Sequence, residues 1–185
     1  MNTIVPVSDV PCWFHENLES IVRLVRRRGL AGLKKNRFSE VLVRGNEEGS
    51  PTAKYLLGLL YEYLALRVAC LKRGDGVSLI LQSAGLGYRD AMEWCTEHIT
   101  AFFIGEDMAY RPYIVDMCEV AAKGGDARAQ FMYSMILIEG DLVARDEAMS
   151  DYWLKKALAQ GFDWKEWMGG ILKGRNETIR YFTFG

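Results

Sequence analysis

Apolar residues recur along the chain at the three- and four-residue spacing of amphipathic helices, in stretches that end at a glycine. Four of these glycines follow one another at separations of 38, 38 and 36 residues: Gly49, Gly87, Gly125 and Gly161. Such a separation fits two helices joined by two short turns, repeated along the chain. The pattern therefore predicts an all-α repeat protein.

Small residues follow the repeat glycines at fixed offsets. Four residues after the glycine, the first three repeats carry Ala53, Ala91 and Ala129. Nine residues after the glycine, the four repeats carry Gly58, Thr96, Ser134 and Gly170. Small side chains on one stripe let a neighbouring helix approach to about 8 Å. We therefore expect tightly packed helix pairs.

Two segments resemble a known repeat, AKYLLGLLYE (53–62) and DARAQFMYSMILIEGDLVARDEAMSDYWLKKALAQG (126–161). Their order of alanine, aromatic residue, loop with Gly140 and Val143, and alanine-rich second helix is similar to that of Sel1-like repeats. The resemblance implies a right-handed α-α superhelix of about three and a half helix pairs. The second repeat, which follows Gly87, departs from the pattern, since Glu93 stands at its aromatic position and FIGEDMAYRP lengthens its turn. The fourth repeat, which follows Gly161, has only a first helix.

The predicted solenoid is a single domain over residues 1–185, with an N-terminal cap (1–35), repeats (36–174) and a tail (175–185). A solenoid must cover its terminal apolar faces. Ser8 or Asp9, with Pro11 in the first turn, should begin a capping helix. Its apolar stripe would comprise Phe14, Leu18, Ile21, Val22 and Val25. The tail aromatics Tyr181, Phe182 and Phe184 should fold over the last helix, or else dock a partner.

Composition favours a folded protein of the cytoplasm. Half the residues are apolar, a quarter are charged, and the net charge is −1. Apolar runs are too short to span a bilayer, and the first residues lack the pattern of a secretory signal. The four cysteines have no CxxC pair, which predicts reduced, buried thiols: Cys12, Cys70, Cys95 and Cys118.

Candidate chemistry is sparse. There are two histidines, His15 and His98. Cys95 and His98 have the spacing of half a metal site, with no second pair to complete it. The segment GLGYRD lacks the lysine of a phosphate-binding loop and lies at a repeat boundary. We therefore predict no enzymatic activity, no metal and no cofactor.

The Sel1-like resemblance implies a scaffold or adaptor that binds another protein on a concave face lined by the first helix of each pair. Candidate residues lie near the small residue that follows each repeat glycine by nine positions: Leu59, Glu62, Tyr63, Glu93, Glu97, Thr100, Arg128, Met135, Ile138 and Glu139. Four of them are glutamates, which would suit a basic partner, while Tyr63, Met135 and Ile138 would supply apolar anchors.

Two other functions are compatible with the sequence. A small cytoplasmic member of this class also resembles a bacterial immunity protein that neutralises a toxin by binding it. Nucleic-acid binding is the alternative from another class, through a basic cluster that has no interleaved aromatic residues. That cluster comprises Arg23, Arg26, Arg27, Arg28, Lys34, Lys35 and Arg37.

Overall fold

The structure, a computed structural model, describes residues 12–28, 31–33, 36–67, 74–105 and 108–170. These residues form helices, turns and short loops, and contain no β-strand. The helices are α1 (Cys12–Arg28), α2 (Arg37–Glu47), α3 (Pro51–Arg67), α4 (Asp75–Gly85), α5 (Arg89–Phe103), α6 (Ile114–Lys123), α7 (Ala127–Glu139), α8 (Glu147–Ala159) and α9 (164–170). The all-α prediction is confirmed.

The chain divides into two compact units, residues 1–95 and 96–185. In the first unit, α3 packs against α1, α2 and α4. In the second unit, α7 packs against α6 and α8, and a 3-10 segment (Met108–Tyr113) packs against α6. Consecutive helices thus form packed pairs, as the repeat pattern predicts. The superhelical course of the whole array and the boundaries at residues 35 and 174 stay predictions.

The four repeat glycines occupy the same backbone position. Gly49, Gly87, Gly125 and Gly161 have φ values of +85°, +84°, +98° and +77°. Each glycine N–H donates to the carbonyl three residues earlier, and the following N–H donates to the carbonyl four residues before the glycine. For Gly125 both distances are 3.1 Å. This pair of hydrogen bonds is the Schellman motif, which ends a helix at a residue with a left-handed backbone conformation.

Replacing Gly125 with alanine should therefore destabilise the protein although nothing lies within 4 Å of the added methyl group. The left-handed conformation costs an L-residue about 1–2 kcal/mol. The neighbouring Gly124 is a matched control, because its φ of −69° and ψ of −9° are right-handed helical. We expect a lower urea midpoint for Gly125→Ala and an unchanged or higher one for Gly124→Ala. Equal urea midpoints for the two variants would contradict the left-handed backbone conformation at Gly125.

The helices of each pair cross at small residues. In the first unit, an added Cβ on Gly58 would lie 2.6 Å from Ile80 Cγ1 and 2.8 Å from the carbonyl oxygen of Gly76. In the second unit, Ser150 Oγ donates to the carbonyl of Ser134 at 2.8 Å. Gly58 and Ser134 both lie nine residues after a repeat glycine, so the predicted close approach is confirmed in both units.

An aromatic pair also recurs. Tyr55 packs against Tyr88 with ring centroids 5.5 Å apart and an interplanar angle of 51°. Phe131 packs against Phe162 at 5.7 Å and 49°. In each pair, the first ring lies six residues after a repeat glycine and the second lies one residue after the next. The two units thus repeat their side-chain packing as well as their turns.

Side-chain caps fix where several helices begin. Asn36 Oδ1 accepts hydrogen bonds from the Phe38 and Ser39 N–H groups at the start of α2. Asp126 and Asp146 cap α7 and α8, each through an oxygen 2.9 Å from the backbone nitrogen three residues on. These short polar residues satisfy donors that a helix leaves unpaired at its first turn.

The predicted capping helix is present as α1, and its stripe residues Ile21, Val22 and Val25 are buried. Its predicted first residues, Ser8, Asp9 and Pro11, lie outside the described residues. The tail aromatics Tyr181, Phe182 and Phe184 also lie outside them.

Candidate interaction surface

Helix α3 buries two of the residues predicted to bind a partner. Leu59 is 2% exposed and Glu62 is 4% exposed, whereas Tyr63 is half-buried. The reason is that α3 has neighbours in α1, α2 and α4, and carries apolar residues around its whole circumference. Leu59 and Glu62 therefore lie inside the first unit and are not part of an exposed surface.

Glu62 has a structural partner in the next helix. Its Oε1 accepts a hydrogen bond from the Gly74 N–H at 3.2 Å. Gly74 is the N-cap residue of α4 and supplies no side-chain cap of its own. A carboxylate at a helix N-terminus satisfies an unpaired donor and is favoured by the helix dipole. Glu62 thus caps α4 from α3.

Helix α5 presents its three predicted residues on one side. Glu93, Glu97 and Thr100 are spaced by four and three residues, which places them on one helical stripe. Glu93 is exposed, and the other two are half-buried. The Thr100 hydroxyl donates to the Thr96 carbonyl at 2.8 Å, so it is already used by the helix backbone. Glu93 is the exposed charge of this stripe.

Helix α7 presents a mixed stripe, which we call the α7 stripe: Arg128, Phe131, Met135, Ile138 and Glu139. At about 100° per residue these five positions cover an arc of roughly 100°. Glu139 is exposed and the other four are half-buried. Arg128 Nη2 lies 3.4 Å from Asp126 Oδ2, which anchors the guanidinium beside the helix N-terminus. The spacing from Gly125 identified four members of this stripe and missed Phe131, which lies six residues after that glycine.

Four aromatic residues meet at one end of the α7 stripe, and we call them the aromatic cluster: Phe131, Phe162, Trp164 and Trp167. Phe131 is stacked on Trp164, with centroids 5.9 Å apart and an interplanar angle of 9°. Trp167 meets Phe131 edge-on at 6.2 Å and is tilted by 54° against Phe162 at 5.8 Å. Trp164 is 39% exposed. Exposed apolar groups in contact with one another are typical of binding sites.

A smaller exposed patch lies on α8. Met149 and Tyr152 are 41% and 45% exposed. Lys156 Nζ lies 5.0 Å from the ring centroid of Tyr152 and 5.2 Å from that of Trp153. Trp153 is buried and packs edge-on against Tyr152 and obliquely against Tyr133, so this patch is attached to the core of the second unit.

Two of the residues considered for chemistry, Cys95 and His98, lie in the interior, whereas the side chains of Cys12, His15 and Cys70 lie outside the described part of the structure. Burial raises the pKa of the Cys95 thiol to about 12, so the thiol stays protonated and unreactive at neutral pH. His98 is buried and meets Tyr110 edge-on, with centroids 4.7 Å apart. Over the part of the chain that the structure describes, no three His, Cys, Asp or Glu residues come together as a metal site.

The described arginines of the basic cluster are exposed: Arg23, Arg26, Arg27, Arg28 and Arg37. Four of them belong to α1, and three occupy its last turn, where positive charge is favoured by the helix dipole. Lys34 and Lys35 lie outside the described residues. Within the described ranges, none of the helices is long and apolar enough to cross a membrane.

Packed helix pairs with the same turns and the same close helix crossings define a helical repeat protein. No protein-family model and no curated protein matches the sequence. Among solved structures, the chain is similar to a Sel1 repeat protein from Oxalobacter formigenes. The identity is 24%, the alignment covers 65% of this chain and 89% of that chain, and the TM-score is 0.39.

Proposed function

We propose that the protein is a binding scaffold that holds another protein against the outward side of α7, with acidic side chains of the same unit contributing charge. The observation that carries the proposal is the α7 stripe itself. Three large apolar side chains, those of Phe131, Met135 and Ile138, are left half-exposed on a helix whose other large apolar residues are mostly buried. Aromatic residues and methionine are enriched in the centres of protein interfaces.

Two acidic residues of the second unit favour a basic partner. Glu139 ends α7 in an exposed position, and Glu97 is half-buried on α5. Glu62 does not contribute, because its carboxylate is buried and bonded to Gly74. Rim charges of this kind raise the rate of association more than the final affinity. The function is non-enzymatic, and neutralisation of a basic toxin would be one instance of it.

Site-specific photo-crosslinking in the native cell tests this proposal. A benzoylphenylalanine is placed at Met135 on the α7 stripe, and a matched control is placed at Leu158, which is 49% exposed on α8. We expect one protein to be captured at position 135 and not at 158. The same capture in a Glu97→Lys, Glu139→Lys background should fall about tenfold, because two charge reversals replace attraction to a basic partner by repulsion and slow its association.

Two results would count against the proposal in different ways. Equal capture at both positions would remove α7 as the binding side. Undiminished capture by the charge-reversed variant would remove the basic partner and leave the apolar stripe as the recognition element. A circular dichroism melt of each variant establishes that the fold is intact.

A further inference from the structure

The exposed tryptophan of the aromatic cluster is held in place by its turn and by a stacked ring. Asp163 Oδ1 accepts hydrogen bonds from the Lys165 and Glu166 N–H groups, at 2.9 and 3.1 Å, and so fixes the turn that carries Trp164. The Trp164 ring lies nearly parallel to that of Phe131, at an interplanar angle of 9°. Trp164 is nevertheless 39% exposed. The ring is therefore positioned before a partner binds, which lowers the ordering cost of binding.

A lysine of the same chain already places its charge on this ring. Lys165 Nζ lies 5.7 Å from the centroid of Trp164. The face of an aromatic ring attracts a cation within about 6 Å, and tryptophan attracts it most strongly. Lys165 is exposed, and over the described residues its ammonium forms no ion pair, whereas that of Lys155 is paired with Asp151. The contact with Lys165 indicates that the group suited to the Trp164 ring is a cation.

We propose that Trp164 binds an arginine side chain of a basic partner protein, and that the Lys165 ammonium occupies the ring until the guanidinium displaces it. Guanidinium is planar and weakly hydrated and stacks on aromatic rings, whereas ammonium is a compact and strongly hydrated charge. Arginine therefore loses less hydration than lysine when it covers the same ring. The proposal rests on the proposed function, because the partner of the α7 stripe supplies the arginine, and Phe131 belongs to both the stripe and the cluster.

Titration with synthetic peptides tests the proposal without the native partner. The probe is a nonapeptide in which three arginines are separated by glycine and serine. Two matched peptides replace each arginine with lysine, which keeps the charge, or with citrulline, which keeps the shape and removes the charge. Fluorescence anisotropy of each labelled peptide gives its dissociation constant for the whole chain.

Fluorine NMR of the whole chain, labelled with 5-fluorotryptophan, locates the bound peptide. The chain has five tryptophans, and single Trp→Phe variants assign their resonances. Trp94, which is 2% exposed in the first unit, is the reference for an intact fold. We expect the arginine peptide to shift the Trp164 resonance and to leave that of Trp94 in place. The citrulline peptide should shift neither.

The variants measure the ring and its lysine separately. Trp164→Leu, which keeps an apolar side chain and removes the aromatic ring, should weaken binding of the arginine peptide about two- to fivefold, the equivalent of about 0.5–1 kcal/mol for an exposed cation on a ring. Lys165→Ala should strengthen binding by a similar factor, because the competing ammonium is gone. Lys155→Ala is the matched control, since it removes the same charge from a lysine paired with Asp151, and it should strengthen binding less.

Four results would overturn the proposal: a Trp164 resonance that the arginine peptide leaves unmoved, an equal response to the citrulline peptide, equal affinity for the lysine peptide, and equal effects of Lys165→Ala and Lys155→Ala. Each of them leaves the photo-crosslinking at Met135 unaffected, so α7 would remain the binding side. Conversely, failure of capture at Met135 with an intact response to the arginine peptide would remove α7 and leave Trp164 as an arginine site.

Discussion

Replacing Gly76 with alanine is expected to cost about 3 kcal/mol or more of folding stability, the range of overpacked cores in which backbone must move. The added Cβ would meet the carbonyl oxygen of Gly58 at less than contact distance, and would lie 2.7 Å from Glu62 Oε1 and 2.8 Å from Glu62 Cγ. Backbone of α3 cannot rotate away as a side chain can. Either α4 shifts away from α3, or the first turn of α4 unwinds.

Gly85, at the other end of α4, is the matched control. Nothing lies within 4 Å of an added Cβ there, and the residue is exposed. Gly85→Ala should be neutral or stabilise by up to about 1 kcal/mol, since alanine is the better helix former. Urea denaturation of the two variants measures the difference. A Gly76→Ala variant as stable as Gly85→Ala would show that α3 and α4 do not cross at this point.

Replacing Glu62 with alanine is the second large effect, with an expected loss of about 2 kcal/mol. The change leaves the Gly74 N–H without its carboxylate acceptor and opens space at the α3–α4 crossing. An unsatisfied donor costs about 1–3 kcal/mol when it is buried, and the hydrogen bond of the Gly74 N–H is partly buried. Glu62→Gln keeps an acceptor oxygen and should lose less stability than Glu62→Ala. The stability that Glu62→Gln still loses measures the interaction of the negative charge with the N-terminus of α4.

Glu93→Ala is the control for a surface glutamate and should change stability by no more than about 0.5 kcal/mol. Chemical denaturation and partner capture are measured on the same variants. If Glu62→Ala kept its stability and lost the partner, Glu62 would be a recognition residue and its structural role would be wrong. If it lost stability as Gly76→Ala does, the carboxylate is part of the first unit's interior.

The contrast between α3 and α7 shows what the sequence could and could not predict. The repeat glycines and the small crossing residues follow from local rules, because a left-handed turn and a close helix approach each demand a particular residue type. Exposure depends on how many neighbours a helix has. The sequence KYLLGLLYEYLAL has no polar stripe, which was the available signal that α3 is surrounded, whereas a stripe anchored by Arg128 and Glu139 predicts the open side of α7.

Glu62 was misplaced for a related reason. It lies four residues after Gly58, so helical periodicity puts both on one side of α3. Since Gly58 marks the side that approaches α4, a residue one turn away belongs to that contact and not to a surface for a partner. Its place one turn after Gly58 suggested a surface for a partner. The burial of this carboxylate required a donor at the start of α4, which only the tertiary arrangement reveals.

The four Schellman turns divide the chain into segments that each begin and end at a glycine. Each turn requires one glycine and two backbone hydrogen bonds, and an added methyl group at any of the four glycines would touch nothing. The turn geometry therefore places no requirement on the outward side chains of α5 or α7. A segment cut at two such glycines, such as 125–161, keeps α7 with α8 but leaves the ring partners of Phe131 in the following segment, since Phe162, Trp164 and Trp167 lie beyond Gly161.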